Sequence, residues 1–296
     1  MCGPRDYNVF SKWPARSFRL DTPGLNDFGK EVKKKNGRYE ILLQWKTKGI
    51  KENLGNNFNV AEKRFISLEK RFNQDELLFE GYNSVMKEQL NQGIIQKCSE
   101  NHFTGYCMPH REVFRENSPN KSTTVVYDAS SKQGNHLSLN ECLISGENLN
   151  PILIDVILKF RKYKIGFCGN IARAFLQIQV SEIDRNYLSF LYYDNCDRTK
   201  SVTMYHLIRH SFVVTCSPFV FAATTKTHNN DYKFKYPEAY EMLNESLYVG
   251  DLFFGSSTVK EAFKLSSRAV LILKKAVINM RKFDTNSEVK KFVEKF

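Results

Sequence analysis

The sequence predicts an α+β fold in which helices cover one face of a largely antiparallel sheet, and three observations carry that expectation. Short β-prone runs alternate with amphipathic helical stripes, and no tract repeats or loses complexity. Two stripes open on capping signatures, Asn73-Gln74-Asp75-Glu76 and Thr258-Val259-Lys260-Glu261. Leu247-Tyr248-Val249-Gly250-Asp251-Leu252-Phe253-Phe254 is apolar on both sides of Gly-Asp. That pattern predicts a hairpin whose two-residue turn is Gly250-Asp251, with glycine supplying the positive φ and an acid left at the tip.

Taken in order, residues 1–36 are polar and end in Lys33-Lys34-Lys35, and they read as an irregular lead-in with a solvated lysine run. Arg38 to Trp45 looks like a strand. A first helix follows, with Asn59 as its candidate cap and Phe65, Leu68 and Phe72 on one stripe. The second carries Leu77, Leu78, Tyr82, Val85, Met86 and Leu90 as far as Gly93, a good residue just past a helix end. From residue 123 onward the texture changes to short strands: Thr124–Tyr127, Ile165–Cys168, Tyr187–Tyr193 and Val202–Leu207. Pro151–Tyr163 reads as a helix with proline in its first turn. Behind the hairpin, Ala262, Leu265, Ala269, Ile272, Leu273 and Ala276 form one helical face. This divides the chain into the lead-in 1–36, a segment 37–122 and a segment 123–296.

With 42% hydrophobic residues and few Pro or Gly, the 296-residue chain is long enough to bury a sizeable core. Lys plus Arg exceed Asp plus Glu by 44 to 32, a basic balance of +12 that favours a polyanionic partner such as nucleic acid. The seven cysteines are odd in number and form no C-x-x-C pair, so neither a zinc site nor a disulfide framework is indicated. No apolar run reaches membrane-spanning length and the first residues lack a signal-peptide core. The expectation is a reduced, intracellular, soluble protein, without distinction between cytoplasm and nucleus.

Five motifs then occur in one order. They are Val125-Val126-Tyr127-Asp128-Ala129-Ser130-Ser131-Lys132, Leu137-Ser138-Leu139-Asn140-Glu141-Cys142-Leu143 and Gly146-Glu147-Asn148-Leu149-Asn150-Pro151. Ile165-Gly166-Phe167-Cys168-Gly169-Asn170-Ile171-Ala172-Arg173-Ala174-Phe175-Leu176-Gln177-Ile178 is the fourth, and Leu247–Leu252 with Gly255, Thr258, Val259 and Glu261 the last. The series closely resembles the reverse transcriptase region of Bel/Pao-type LTR retrotransposon polyproteins, over at least residues 38–287. Each motif alone is weak, and the ordered set is specific.

The resemblance implies fingers and a palm, with the thumb, the primer-holding strand pair and a ribonuclease H domain lying beyond Phe296. It also implies RNA-directed DNA polymerisation, with an RNA or DNA template–primer in a basic cleft and Mg²⁺ as cofactor. Two-metal nucleotidyl transfer needs hard oxygen ligands converging from adjacent strands, because one ion activates the primer hydroxyl and the other neutralises pyrophosphate. The family's ligands are one strand Asp and a double Asp at the hairpin. Here those positions are Asn170, Gly250 and Asp251, so only Asp251 keeps a carboxylate.

Other positions depart as well. An Arg that grips the triphosphate is replaced by Thr124, with Lys121 nearby, ahead of the run that ends in Asp128. In Ser211–Phe219 the family's glycine beneath the templating base is Val213. Phe175 stands at the deoxyribose gate, Tyr248 before the acid pair, and Lys282 where a lysine near pyrophosphate is expected. Their alternative roles are plain core and surface residues. The sequence reading therefore expects a catalytically inactive copy that holds no productive Mg²⁺. Two alternatives stay open. One is an active polymerase rescued by an acid such as Glu245 or Asp194, and the other is a nucleic-acid-binding module without chemistry. No feature indicates a protein partner.

Overall fold

The computed structural model describes Phe28 and residues 32–99, 104–114 and 123–286. Lys121 and most of the lead-in lie outside these residues. The lead-in's lysine run is an exposed edge strand: β1 (Lys33–Lys35) pairs with β2 (Arg38–Ile41) across Asn36 and Gly37, both at positive φ. An Asn-Gly pair is the strongest short hairpin signal, and it outweighs the flanking lysines. The Arg38–Trp45 strand stops at Ile41 because Leu43 and Trp45 turn to donate their backbone and indole N–H groups to Asp184.

α1 (Phe58–Gln74) buries Ala61, Phe65, Leu68 and Phe72. Asn59 is inside it rather than capping it. Asn57 takes the cap position, but its amide donates to the Cys107 carbonyl at 3.0 Å instead of serving the helix. α2 (Glu76–Asn91) is capped by Asp75, which accepts from Leu78 N at 3.0 Å. That start turns Leu78, Tyr82 and Met86 inward at i, i+4 and i+8, and leaves Leu77 81% exposed, off the expected stripe.

The strands β3 (Ile95–Lys97), β4 (His110–Phe114) and β5 (Thr123–Tyr127) follow, then the single-turn α3 (Leu139–Cys142) and α4 (Leu153–Lys162). Pro151 falls just before α4, whose cap position is Ile152. β6 (Ile165–Ile171) and β7 (Gln179–Val180) precede a 3₁₀ stretch, Glu182–Leu188, which shortens the expected Tyr187–Tyr193 strand to β8 (Ser189–Tyr193). β9 (Val202–Leu207), α5 (Ser217–Asn230), α6 (Pro237–Ser246), β10 (Leu247–Tyr248), β11 (Asp251–Ser256), α7 (Val259–Lys274) and β12 (Met280–Thr285) complete the order.

Among the described residues four small sheets result: β1-β2-β7, β3-β9-β8, β4-β5 and β10-β11-β6-β12. Every named pair is antiparallel except β2 with β7. α6 and α7 cover one face of the four-stranded sheet, where the Phe167 and Phe254 rings meet at a tilt with centroids 5.0 Å apart. α4 lies on the opposite face. The paired glycines Gly166 and Gly255 admit it, since a Cβ at Gly255 would come within 2.7 Å of Tyr163 and one at Gly166 within 3.0 Å of Phe160. Among the described residues no helix is long and apolar enough to cross a membrane.

The second packing centre joins α1 and α2 to β4, β5 and β8 through Phe65, Tyr82, His110, Tyr127, Phe190 and Tyr192. His110 is buried with Tyr82 on Nδ1 and the Leu191 carbonyl 2.7 Å from Nε2, so Nε2 carries the proton and Nδ1 accepts. Burial pushes the His110 imidazole down to about 4, and the same desolvation pushes the buried His210 to about 4. A lowered histidine pKa leaves stability untouched above the unfolded value of about 6.5, then removes it as pH falls toward 4, because only the unfolded chain takes up the proton. Acid titration is therefore expected to lower the unfolding free energy between pH 6.5 and 4 by on the order of 2–3 kcal/mol per imidazole. His110→Gln should flatten that slope in urea melts run across the same pH range; an unchanged slope would refute the assignment.

Candidate functional site

The resemblance points to the end of the four-stranded sheet, and strand register determines what meets there. Asp251 pairs with both Tyr248 and Asn170, so it is the first residue of β11, not a turn residue. The turn is Val249-Gly250, at φ 55° and 117°. The expected Gly250-Asp251 turn is thus displaced by one residue. The cross-sheet pairing to β6 draws Asp251 into the ladder and forces a β-branched residue to positive φ, a conformation valine seldom adopts. Asn150 holds that turn by accepting from Val249 N at 3.2 Å, and the Ile171 N–H donates to the Gly250 carbonyl at 2.7 Å.

Side chains alternate along each strand, so Asn170, Cys168 and Gly166 on β6 share a face with Asp251, Phe253 and Gly255 on β11. Asn170 Nδ2 donates to Asp251 Oδ1 at 2.5 Å. On the other side Asn170 is paired with Arg281 of β12, whose register slips between Arg281 and Asp284. Lys282 occupies that slip at φ 52° and is exposed. The row across the face is therefore Asp251, Asn170, Arg281: one carboxylate, one amide and one guanidinium.

Gly250 is buried, and a Cβ there would stand 3.0 Å from the Ala174 Cβ. The glycine is what lets the turn settle against the 3₁₀ stretch Ala174–Gln177. Phe175, in that stretch, is half-buried and meets Phe221 edge-on at 5.8 Å, a packing contact. Arg173 precedes it at φ 48° and binds Glu88 at 2.8 Å and Gln92 at 2.6 Å on α2.

Asn170, Gly250, Asp251, Tyr248 and the Phe175 segment thus come together. Thr124, Asp128 and Val213 are held by other contacts. Thr124 lies on β5 opposite Val113. Asp128 Oδ1 accepts from Ser130 N at 3.0 Å. Asn140 ties Ser130 to the Val213 carbonyl, donating at 2.8 Å and 3.1 Å. Among the described residues no hydrogen bond links this group to Asn170 or Asp251. Glu245 pairs with Lys159 at 2.9 Å and Asp194 with Lys97 at 2.7 Å, so both candidate rescuing acids have lysine partners elsewhere.

Arg281, Asn140 and Asn150 are contributors the sequence reading did not single out. Asn140 and Asn150 lie inside motifs that carry the resemblance, which was their one available signal. Arg281 had none, because its placement depends on the irregular β12 register. Chemically, the row offers one negative charge and a neighbouring positive one. A pair of divalent cations needs several converging oxygen anions, and this row carries one. Among the described residues no group of three or more His, Cys, Asp or Glu is placed to hold a metal.

No family model and no curated protein matches the sequence. Solved structures do. The selenomethionine-labelled CSH mutant of prototype foamy virus protease-reverse transcriptase matches with a TM-score of 0.50 at 15% identity, over 70% of this chain and 24% of that one. Foamy viral protease-reverse transcriptase dRH in complex with double-stranded DNA gives 0.47 at 16%, over 70% and 31%. The same enzyme in complex with an RNA/DNA hybrid gives 0.46 at 17%, over 66% and 22%. The chain spans less than a third of the length of these structures. At such identity the likeness speaks to architecture, and the α+β fold of this chain is similar to the fingers and palm of a reverse transcriptase.

Proposed function

We propose that this chain is a reverse-transcriptase-like domain of Bel/Pao retrotransposon descent that no longer transfers nucleotides. The observation that carries the reading is the row Asp251, Asn170, Arg281, in which a single carboxylate faces an amide and a cation. Removing one preorganised electrostatic contact from an active site costs about 10²–10³ in rate. Two metal-ligand positions changed together, with Thr124 and Val213 altered besides, bring turnover to background even though such losses do not simply add. The same charge count argues against a productively bound Mg²⁺ pair. The basic excess of +12 supports retained affinity for a template–primer, held through phosphate contacts rather than through metal.

Primer extension on poly(rA)/oligo(dT) with Mg²⁺ or Mn²⁺ tests the reading directly. No incorporation is expected, alongside duplex binding whose affinity falls steeply as salt rises. Incorporation that Asp251→Ala abolishes would overturn inactivity, and a flat salt dependence would remove the phosphate-gripping cleft.

A further inference from the structure

We propose that the outer face of α4 is a self-association surface that receives α4 of a second copy of this chain in antiparallel fashion. α4 rests on the sheet through Val156, its one buried residue, and through Phe160 against Phe253. Everything else apolar on it points outward. Ile152, Leu153, Ile154, Ile157 and Leu158 are 67%, 43%, 64%, 44% and 61% exposed within seven consecutive residues. Scattered surface leucines need no explanation, but five large aliphatic side chains on one helix form a contiguous patch of the kind that marks an interface.

Charge identifies the occupant. α4 has Asp155 in its first turn and Lys159, Arg161 and Lys162 in its last. Lys159 is engaged by Glu245, while among the described residues Asp155 and Arg161 form no ion pair. Ile154, Ile157, Leu158 and Arg161 recur at i, i+3, i+4 and i+7, which is the stripe one helix offers another. When two such stripes pair antiparallel about a two-fold axis near Leu158, apolar residues meet at the centre. Asp155 of each copy then lies beside Lys162 of the other, which shares its flank of the helix. A parallel arrangement would instead juxtapose like charges. The surface is therefore self-complementary, as a two-fold interface requires, and the opposed helix dipoles add to it. One pair of ten-residue helices is at the small end of specific interfaces, so the association is weak, on the order of micromolar.

Sedimentation velocity on the full chain, from roughly 1 to 200 µM, tests this. A reversible monomer–dimer equilibrium is expected. Ile157→Glu should weaken it at least about tenfold without changing the melting temperature of the monomer, because the position is exposed. Asp155→Lys should weaken it too, and adding Lys162→Glu to that variant should restore it. A chain that stays monomeric throughout overturns the proposal and leaves a different polypeptide as the occupant. A dimer indifferent to Ile157→Glu overturns it as well. A double charge variant no tighter than Asp155→Lys alone rules out the antiparallel arrangement.

Discussion

Placing a carboxylate at Asn170 or at Gly250 is expected to give opposite results. Asn170→Asp keeps the side chain's size on a well-paired strand between Asp251 and Arg281. It replaces the amide donor to Asp251 with a like charge, which costs about 1 kcal/mol at an exposed position. It also places two carboxylates on neighbouring strands, the beginning of a hard-cation site. The variant should therefore melt slightly below the parent without metal and gain a few degrees in saturating Mg²⁺ or Mn²⁺, which the parent does not. Gly250→Asp meets a backbone obstacle instead. At φ 117°, with the Ala174 Cβ 3.0 Å from the new Cβ, the turn must shift to accept any side chain, at about 1–3 kcal/mol. Its melting temperature should fall with no response to cations, and adding it to Asn170→Asp should not restore primer extension. Thermal melts with and without the ion decide the matter. A Gly250→Asp protein as stable as the parent, or an Asn170→Asp protein blind to Mg²⁺, would sink this account.

That asymmetry illustrates what local sequence can and cannot convey. The hairpin, the Thr258 helix cap and the buried stripes of α1 and α7 were legible because each rests on residues within one or two turns of chain, whereas the capping box read from Asn73 to Glu76 is not formed: Asn73 lies inside α1 and Asp75 is the cap. The turn inside the hairpin was misplaced by one residue. Glycine's freedom at positive φ is a local cue, whereas the pairing of Asp251 with Asn170 is set 81 residues away and imposes positive φ on Val249. Arg281 beside Asn170 was illegible for the same reason, since a slip in β12 cannot be read from composition. Leu77 fits the helical stripe by spacing alone, and the Asp75 cap sets a phase that excludes it. The Asn36-Gly37 turn shows the opposite failure: the cue was present and the charge of its neighbours obscured it.

Asp184 was the least visible structural residue, and its loss is expected to be the most damaging single change to stability. It is 1% exposed within a 3₁₀ stretch whose local sequence gives no reason to bury an acid. Its partners come from the far end of the chain: Oδ2 accepts from Leu43 N at 2.8 Å, and Oδ1 from Trp45 Nε1 and Lys51 Nζ, both at 3.1 Å. The Lys51 ammonium also sits over the rings of Trp45 at 4.4 Å and Tyr187 at 4.7 Å. One carboxylate thus satisfies a backbone donor where β2 ends, an indole, and a cation that would otherwise lie unpaired against two aromatic faces. Asp184→Ala removes all three bonds at once and should cost about 3–5 kcal/mol, the range for breaking a buried ion pair from one side. In a chain of this size that is a drop of roughly 10 °C in melting temperature. Lys51→Met should cost much less, because Lys51 is 35% exposed and the carboxylate keeps its two N–H donors. A loss of only a degree or two in Asp184→Ala, or equal losses in the two variants, would mean that the Leu43–Lys51 segment is held by packing and not by this carboxylate.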